Sequence, residues 1–363
     1  MVTVPGGTLD TGNLNSSTAT TLGNVVQTLA AGNSTFANST LTTATVAGGS
    51  DNSAVSTGTI LNVSLTTPPA TVVDLSGQTG GGTALVTQSG TTSSQIVLGS
   101  SVSSVVALND SSGNIVNTGA GNATVIAGGG NSVIGTAASG NGSLNLILGS
   151  GTTTVVAASG NNTITAGTGG AVAILGSGTN TVDLGSSNGA TVWGGSGNAS
   201  ISGGANSTIV GGTGSSTILG HNGDVVFAGT GSKSSLVQAG TGNETLSGAG
   251  SRADNTFVAG SGNALIGAGS GNDTISGGTG NTTMFGGTGN NVFSFSTAAH
   301  GGSATIGDFK STDKLSLSGY SASQVLANAV TQTVGGVTIT TLNLGDGTKV
   351  VVIGAAVTAN SFS

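Results

Sequence analysis

The sequence predicts an all-β chain wound as a right-handed parallel β-solenoid, a β-roll or β-helix. Three observations predict it. Nine-residue units recur without gaps, each unit ends in a strand-like alternation, and glycine falls where each unit must turn. Glycine makes up 69 of 363 residues, against about 7% in an average chain. Charged residues are 5% of the chain, where about 25% is usual. Even so, 35% of the residues are apolar. They are mostly Val, Ile, Leu and Ala, placed singly or in pairs at regular intervals, which fits many short strands better than an unstructured chain.

The repeats carry the argument for the fold. From Leu148 the chain divides into LGSGTTTVV, AASGNNTIT, AGTGGAVAI and LGSGTNTVD; from Ala259 it divides into AGSGNALIG, AGSGNDTIS, GGTGNTTMF and GGTGNNVFS. The consensus is small-Gly-Ser/Thr-Gly-Asn-x-Thr-apolar-x. Its glycines and Asn accept positive φ and allow a tight turn. Its last three residues alternate with period 2, so one side chain points inward. The inward candidates are Val155, Ile164, Val182, Ile201, Ile218, Leu246, Ile266, Ile275, Met284 and Phe293. A single unit cannot bury its own apolar residue, whereas stacked units join these residues into one core. Two units per coil or a three-sided coil both satisfy the pattern, because the register slips at 184–193, 203–210 and 220–238.

The repeats occupy residues 111–294. Residues 1–110 are Thr/Ser/Ala-rich and strand-like but lack the Gly-x-Gly-Asn unit. They are expected to form irregular β-structure that continues or caps the solenoid, with Pro68–Pro69 at a turn or edge. Residues 295–363 lose the repeat, gain charges, and are expected to form a β cap.

The nonapeptide resembles the glycine-rich GGxGxDxUx repeat of RTX proteins over about half of the chain. Residues Ile306–Tyr320, IGDFKSTDKLSLSGY, are similar to the segment that closes many RTX arrays. The final stretch, LNLGDGTKVVVIGAAVTANSFS, resembles the C-terminal signal of type I secretion substrates. The resemblance implies export to the extracellular space or cell surface. That agrees with an amino terminus, MVTVPGGTLDTG, that has no basic stretch followed by an apolar one. In the family, the sixth-position Asp and turn carbonyls hold Ca²⁺. Here that position is Thr153, Asn162, Ala171, Asn180, Ala199, Ala264, Thr282 or Asn291, and only Asp273 matches. Asp254 lies about one coil earlier, so the resemblance implies at most one calcium site, formed by Asp254 and Asp273. The alternative is two solvated turn aspartates. With Asn ladders in place of stacked carboxylates, the solenoid is expected to fold with little or no calcium and to need no cofactor.

The net charge is −7, and the five basic residues, Lys233, Arg252, Lys310, Lys314 and Lys349, leave residues 1–232 with none. Phosphate-neutralising binding to nucleic acid is excluded on that ground, as is a polybasic membrane contact. No apolar run reaches the roughly 18 residues of a membrane span. There is no Cys, Glu244 is the only Glu and Arg252 the only Arg. No carboxylate pair has a basic partner within the repeats, and His221 with Asp224 reads as a polar turn, so no catalytic residue and no enzymatic activity are expected. The first 110 residues carry four charges, all Asp, and no Lys to guard strand edges. The expected role is therefore structural: self-assembly into an extracellular filament, sheath or surface layer. The alternatives are an adhesin or biofilm-matrix spacer that contacts cell-surface polysaccharide, and an ice-binding solenoid built on the seventh-position Thr residues.

Overall fold

In a computed structural model the chain is a parallel β-solenoid. The structure describes residues 113–136, 141–299 and 301–363 continuously, and before them 2–4, 7–9, 20–27, 40–46, 50–51, 59–65, 71–76, 83–88, 93–99 and 103–108. Pro68–Pro69 and His300 lie outside the described residues. The chain divides into two compact units, Met1–Val192 and Trp193–Ser363.

In the first unit, successive strands alternate between two parallel sheets. One stacks Thr40–Val46, Thr59–Leu65, Thr83–Gln88, Ser103–Ala107, Ala123–Ile126, Leu144–Ile147, Thr163–Thr165 and Thr179–Asp183. The other stacks Ser50–Asp51, Thr71–Asp74, Ser94–Val97, Ile115–Asn117, Ser132–Gly135, Thr153–Ala157 and Ala171–Leu175. One strand on each sheet completes a coil, so the coil is two-sided. Two nonapeptides fill it, and Asn162 meets Asn180, 18 residues on. Of the two roles expected for residues 1–110, the strands from Thr40 onward continue the solenoid. Coils here are longer, as where Ser94 reaches Asn114, 20 residues on. The Gly-x-Gly-Asn signature belongs to tight turns and disappears when the turns lengthen, although the strands persist. Ahead of these coils, a helix over 20–27 buries Leu22 and Val26.

The glycines permit close stacking of the turns. Gly178 has φ +93°, and a Cβ there would sit 2.2 Å from the carbonyl oxygen of Gly160 in the preceding coil. An L side chain there would be strained by the φ and would clash with that oxygen.

In the second unit, one sheet stacks Asn198–Ser202, Ser216–Leu219, Leu236–Gln238, Thr256–Val258, Thr274–Ser276, Val292–Ser296 and Lys314–Ser318. The facing sheet stacks Thr208–Val210, Val225–Phe227, Asn243–Ser247, Asn263–Gly267, Asn281–Phe285 and Ser303–Phe309. Coil length varies from 17 to 22 residues, and the turns absorb the variation, so strand register is kept. Ile201, Ile218, Val237, Phe257, Ile275, Phe293 and Leu315 form one unbroken inward column. Ile209, Val226, Leu246, Ile266, Met284 and Ile306 form the column opposite. Each is fully buried or nearly so, a gain of about 1.5–3 kcal/mol per large side chain. All ten inward candidates named from the repeat are in the core.

The stack continues past the end of the repeats, through Lys314–Ser318. A short helix, Ala322–Ala327, follows, capped by the Ser321 side chain. The hairpin Val330–Val334/Val337–Asn343 comes next, and then Lys349–Gly354. Lys349–Gly354 pairs parallel with Ser303–Phe309 and antiparallel with Val337–Asn343, so the direction of pairing reverses at this end. Phe309 closes the core against Phe293, with ring centroids 6.1 Å apart.

Candidate functional site

The feature that sets the chemistry of the interior is a polar ladder at the corner before many of the strands. In the second unit, Val292 and Lys314 donate their N–H groups to the carbonyls of Asp273 and Asn291 one coil earlier. The corner residue thus spends its carbonyl on the backbone ladder, while its own N–H lacks a backbone acceptor. Such a group, buried, must find another partner. It finds the side chain of the next coil. Ser216 N–H donates to Ser235 Oγ, Ser235 to Asn255 Oδ1, Asn255 to Asp273 Oδ1, Asp273 to Asn291 Oδ1, and Asn291 to Asp313 Oδ1, at 2.7 to 3.2 Å. In the first unit the same device links Leu144 to Asn162 and Asn162 to Asn180. The sixth position of the repeat is therefore an inward one: Thr153, Asn162, Ala171, Asn180, Ala199, Ala264, Asp273, Thr282 and Asn291 are all buried. The Asn ladder expected from the sequence is present, with Asn162 Nδ2 donating to Asn180 Oδ1 at 2.9 Å.

This geometry separates the two aspartates read as a calcium pair. They are 19 positions apart, whereas the coil here is 18 residues, so they fall in adjacent columns. Asp254 is exposed and accepts from the N–H of Asn272, which in turn accepts from Asn290. Asp273 is fully buried one column inward, and its Oδ1 is taken by Asn255. The two aspartates therefore do not stack one above the other. Among the described residues, no three His, Asp or Glu side chains gather to hold a metal. Asp273 Oδ2 is buried without a hydrogen-bond partner. Burial, opposed by the Asn255 hydrogen bonds and assisted by the nearby charge of Asp254, raises the carboxyl from 3.8 to about 6.

The His221–Asp224 turn places Asp224 fully inside. Its oxygens accept from the N–H groups of Ser207 and His221 at 2.7 and 2.8 Å. Glu244 stacks one coil further on, since Val225 pairs with Thr245. Burial raises the carboxyl pKa of both, and for Glu244 the Asp224 charge adds to the rise. Both carboxylates serve turn N–H groups, with Glu244 accepting from Gly242.

Compared with protein-family models and with curated proteins, the chain matches none.

Two further carboxylates have bonding roles that the sequence does not assign. Asp308 accepts from the N–H groups of Gly286 and Gly287, both at 2.8 Å, and Asp313 accepts from Asn291 and Lys310. They satisfy the turn donors of the last repeat coil. Their signal in the sequence is their place in Ile306–Tyr320, the segment that follows the last repeat.

The outer surface is poor in charge. On one sheet of the first unit, Val72, Gln95, Ile115, Val133, Thr154 and Val172 form an outward column. Beside it run Asp74, Val97, Asn117, Gly135, Val156 and Ile174. Ile115 and Val133 are about half exposed, at 53% and 47%. Alternate repeats point to opposite sheets, which divides the seventh-position Thr residues. In the second unit their columns read Ser200, Thr217, Leu236, Thr256, Thr274, Val292 and Thr245, Leu265, Thr283, Thr305. Apolar residues interrupt both. A groove of about 350 Å³ on the first unit is lined by Asn122, Asn145 and Asn161, by hydroxyl residues that include Thr83 and Ser103, and by the apolar Val105 and Leu144. No helix among the described residues is long and apolar enough to cross a membrane.

Proposed function

We propose that this chain is a secreted, non-enzymatic structural protein that self-assembles into an extracellular filament, sheath or surface layer. The observation that carries the reading is the outward apolar column around Ile115 and Val133, on a sheet face whose two stacked columns contain one charge, Asp74. Such a face is costly to leave in water, and natural sheets that must stay apart place Lys or other charges there. The RTX-like repeat and the resemblance of Leu342–Ser363 to a type I secretion signal support an extracellular location. The interior ladder supports folding without a required metal, because neutral amides and hydroxyls of Ser235, Asn255, Asn291, Asn162 and Asn180 satisfy corner donors at most of its steps, leaving Asp273 and Asp313 as its carboxylates. Buried carboxylates that accept turn N–H groups support a structural reading over a catalytic one. The groove with Asn122, Asn145 and Asn161 beside apolar Val105 and Leu144 is the feature that favours an adhesin contacting cell-surface polysaccharide as the second reading.

Negative-stain electron microscopy of the full chain, with and without a calcium chelator, tests the proposal. Regular fibres or sheets in both samples are expected. Dispersed particles in both overturn self-assembly and favour the adhesin reading, and fibres lost on chelation overturn metal independence.

A further inference from the structure

We infer that the strand Val330–Val334 is a self-recognition edge, pairing antiparallel with the same strand of a second copy about a dyad at Gln332. The inference rests on the self-association proposed above and names a surface for it. All five residues of this strand are exposed, with Val330 at 63% and Val334 at 59%. Among the described residues it pairs on one side only, with Val337–Asn343. No charged residue occurs between Lys314 and Asp346, so the edge carries none of the charges that keep free edges apart.

The hairpin geometry says which groups face outward. Gly335 and Gly336 have φ +59° and +81° and form a two-residue turn, which both positive φ values identify as type I′. Val334 and Val337 then close the turn as a hydrogen-bonded pair, and antiparallel pairs alternate from there. Gln332 with Ile339 is hydrogen-bonded; Thr333 with Thr338 and Thr331 with Thr340 are not. The hydroxyls of Thr331 and Thr340 lie 3.2 Å apart, as suits the closer, non-hydrogen-bonded kind of pair. The N–H and C=O groups of Thr331 and Thr333 therefore point away from the hairpin.

The strand reads VTQTV in both directions. Set antiparallel against a second copy with Gln332 on the axis, Thr331 of each chain lies opposite Thr333 of the other. Those are the residues with free backbone groups, so both exchange hydrogen bonds. Gln332 meets Gln332 at a close pair, where the two amides can hydrogen-bond, and Val330 meets Val334. Sliding by two residues sets Val330 against Gln332 and discards these matches, so the side chains select the register. The contact is isologous and closes on itself, which makes a pair; a filament needs a second contact elsewhere.

Sedimentation velocity at low salt tests this with Gln332→Lys and Gln332→Glu. Gln332 is exposed and its side chain is not needed for the fold. Each variant alone should weaken pairing by about tenfold or more, because like charges then oppose on the axis, and an equimolar mixture should restore pairing. Since the chain has no Cys, Gln332→Cys should form an intermolecular disulfide on mild oxidation, whereas Val337→Cys, on the inner strand, should not. If the wild type assembles while both charged variants assemble equally well, or Val337→Cys crosslinks as fast as Gln332→Cys, this edge is wrong and self-association stands. If the wild type is monomeric at every concentration, both fall.

Discussion

Replacing Asp273 by Asn exchanges a carboxylate oxygen for an amide nitrogen in the middle of the interior ladder and isolates the energetic effect of one buried acid. The carboxyl is raised from 3.8 to about 6 by burial, so the folded state binds its proton more tightly than the unfolded chain. Its contribution to stability is fully present below about pH 4 and is lost as pH rises through about 6. At about 1.4 kcal/mol per unit, the ceiling on that loss is about 3 kcal/mol. The Asn variant keeps an Oδ1 acceptor for the Asn255 N–H. It also supplies an Nδ2 donor, as Asn255 does toward Ser251 and Ala253 and Asn162 does toward Ser159 and Gly160. Urea unfolding should show Asp273→Asn more stable than wild type at pH 7.5 by about 1–3 kcal/mol, with the difference vanishing near pH 4. Asp224 and Glu244, also raised by burial, leave a fall of the same sign in both proteins. A variant no more stable at pH 7.5, or one that keeps the full wild-type pH dependence, would refute the reasoning. So would millimolar calcium that stabilises the wild type and leaves Asp273→Asn unchanged, because the ionised acid would then be holding a cation.

Asp308→Ala removes the acceptor of two turn N–H groups and should cost about 1–3 kcal/mol. Proteolysis should then begin near the C-terminal hairpin, while global unfolding at unchanged protease sites would contradict the capping role. Gly178→Ala should destabilise by more than about 2 kcal/mol, because it combines positive φ with a clash against the preceding coil. Gly345→Ala, at φ +93° with nothing within 4 Å, should cost only about 1 kcal/mol. Equal thermal shifts in the two variants would show that stacking contributes nothing beyond φ.

The inward residues are legible in the sequence because they follow from local spacing: a period-2 strand after a glycine turn puts Ile164, Leu246 or Phe293 inside whatever the coil does. Strand content ahead of residue 111 is legible for the same reason. The two-sided coil is not, because nine-residue units fit either geometry until Asn162 is seen to meet Asn180. Nor is the fate of Asp254 and Asp273. Their separation differs from the local coil by one residue, and one residue in a strand register exchanges an outward column for an inward one. The seventh-position Thr residues fail to form one ladder because consecutive units feed opposite sheets. Asp308 and Asp313 gain their roles only by stacking on Gly286 and Asn291, residues of the previous coil. Spacing along the chain sets what each residue prefers locally, whereas register between coils sets its neighbours. Register depends on turn lengths accumulated through the fold, so it is a property of the stack.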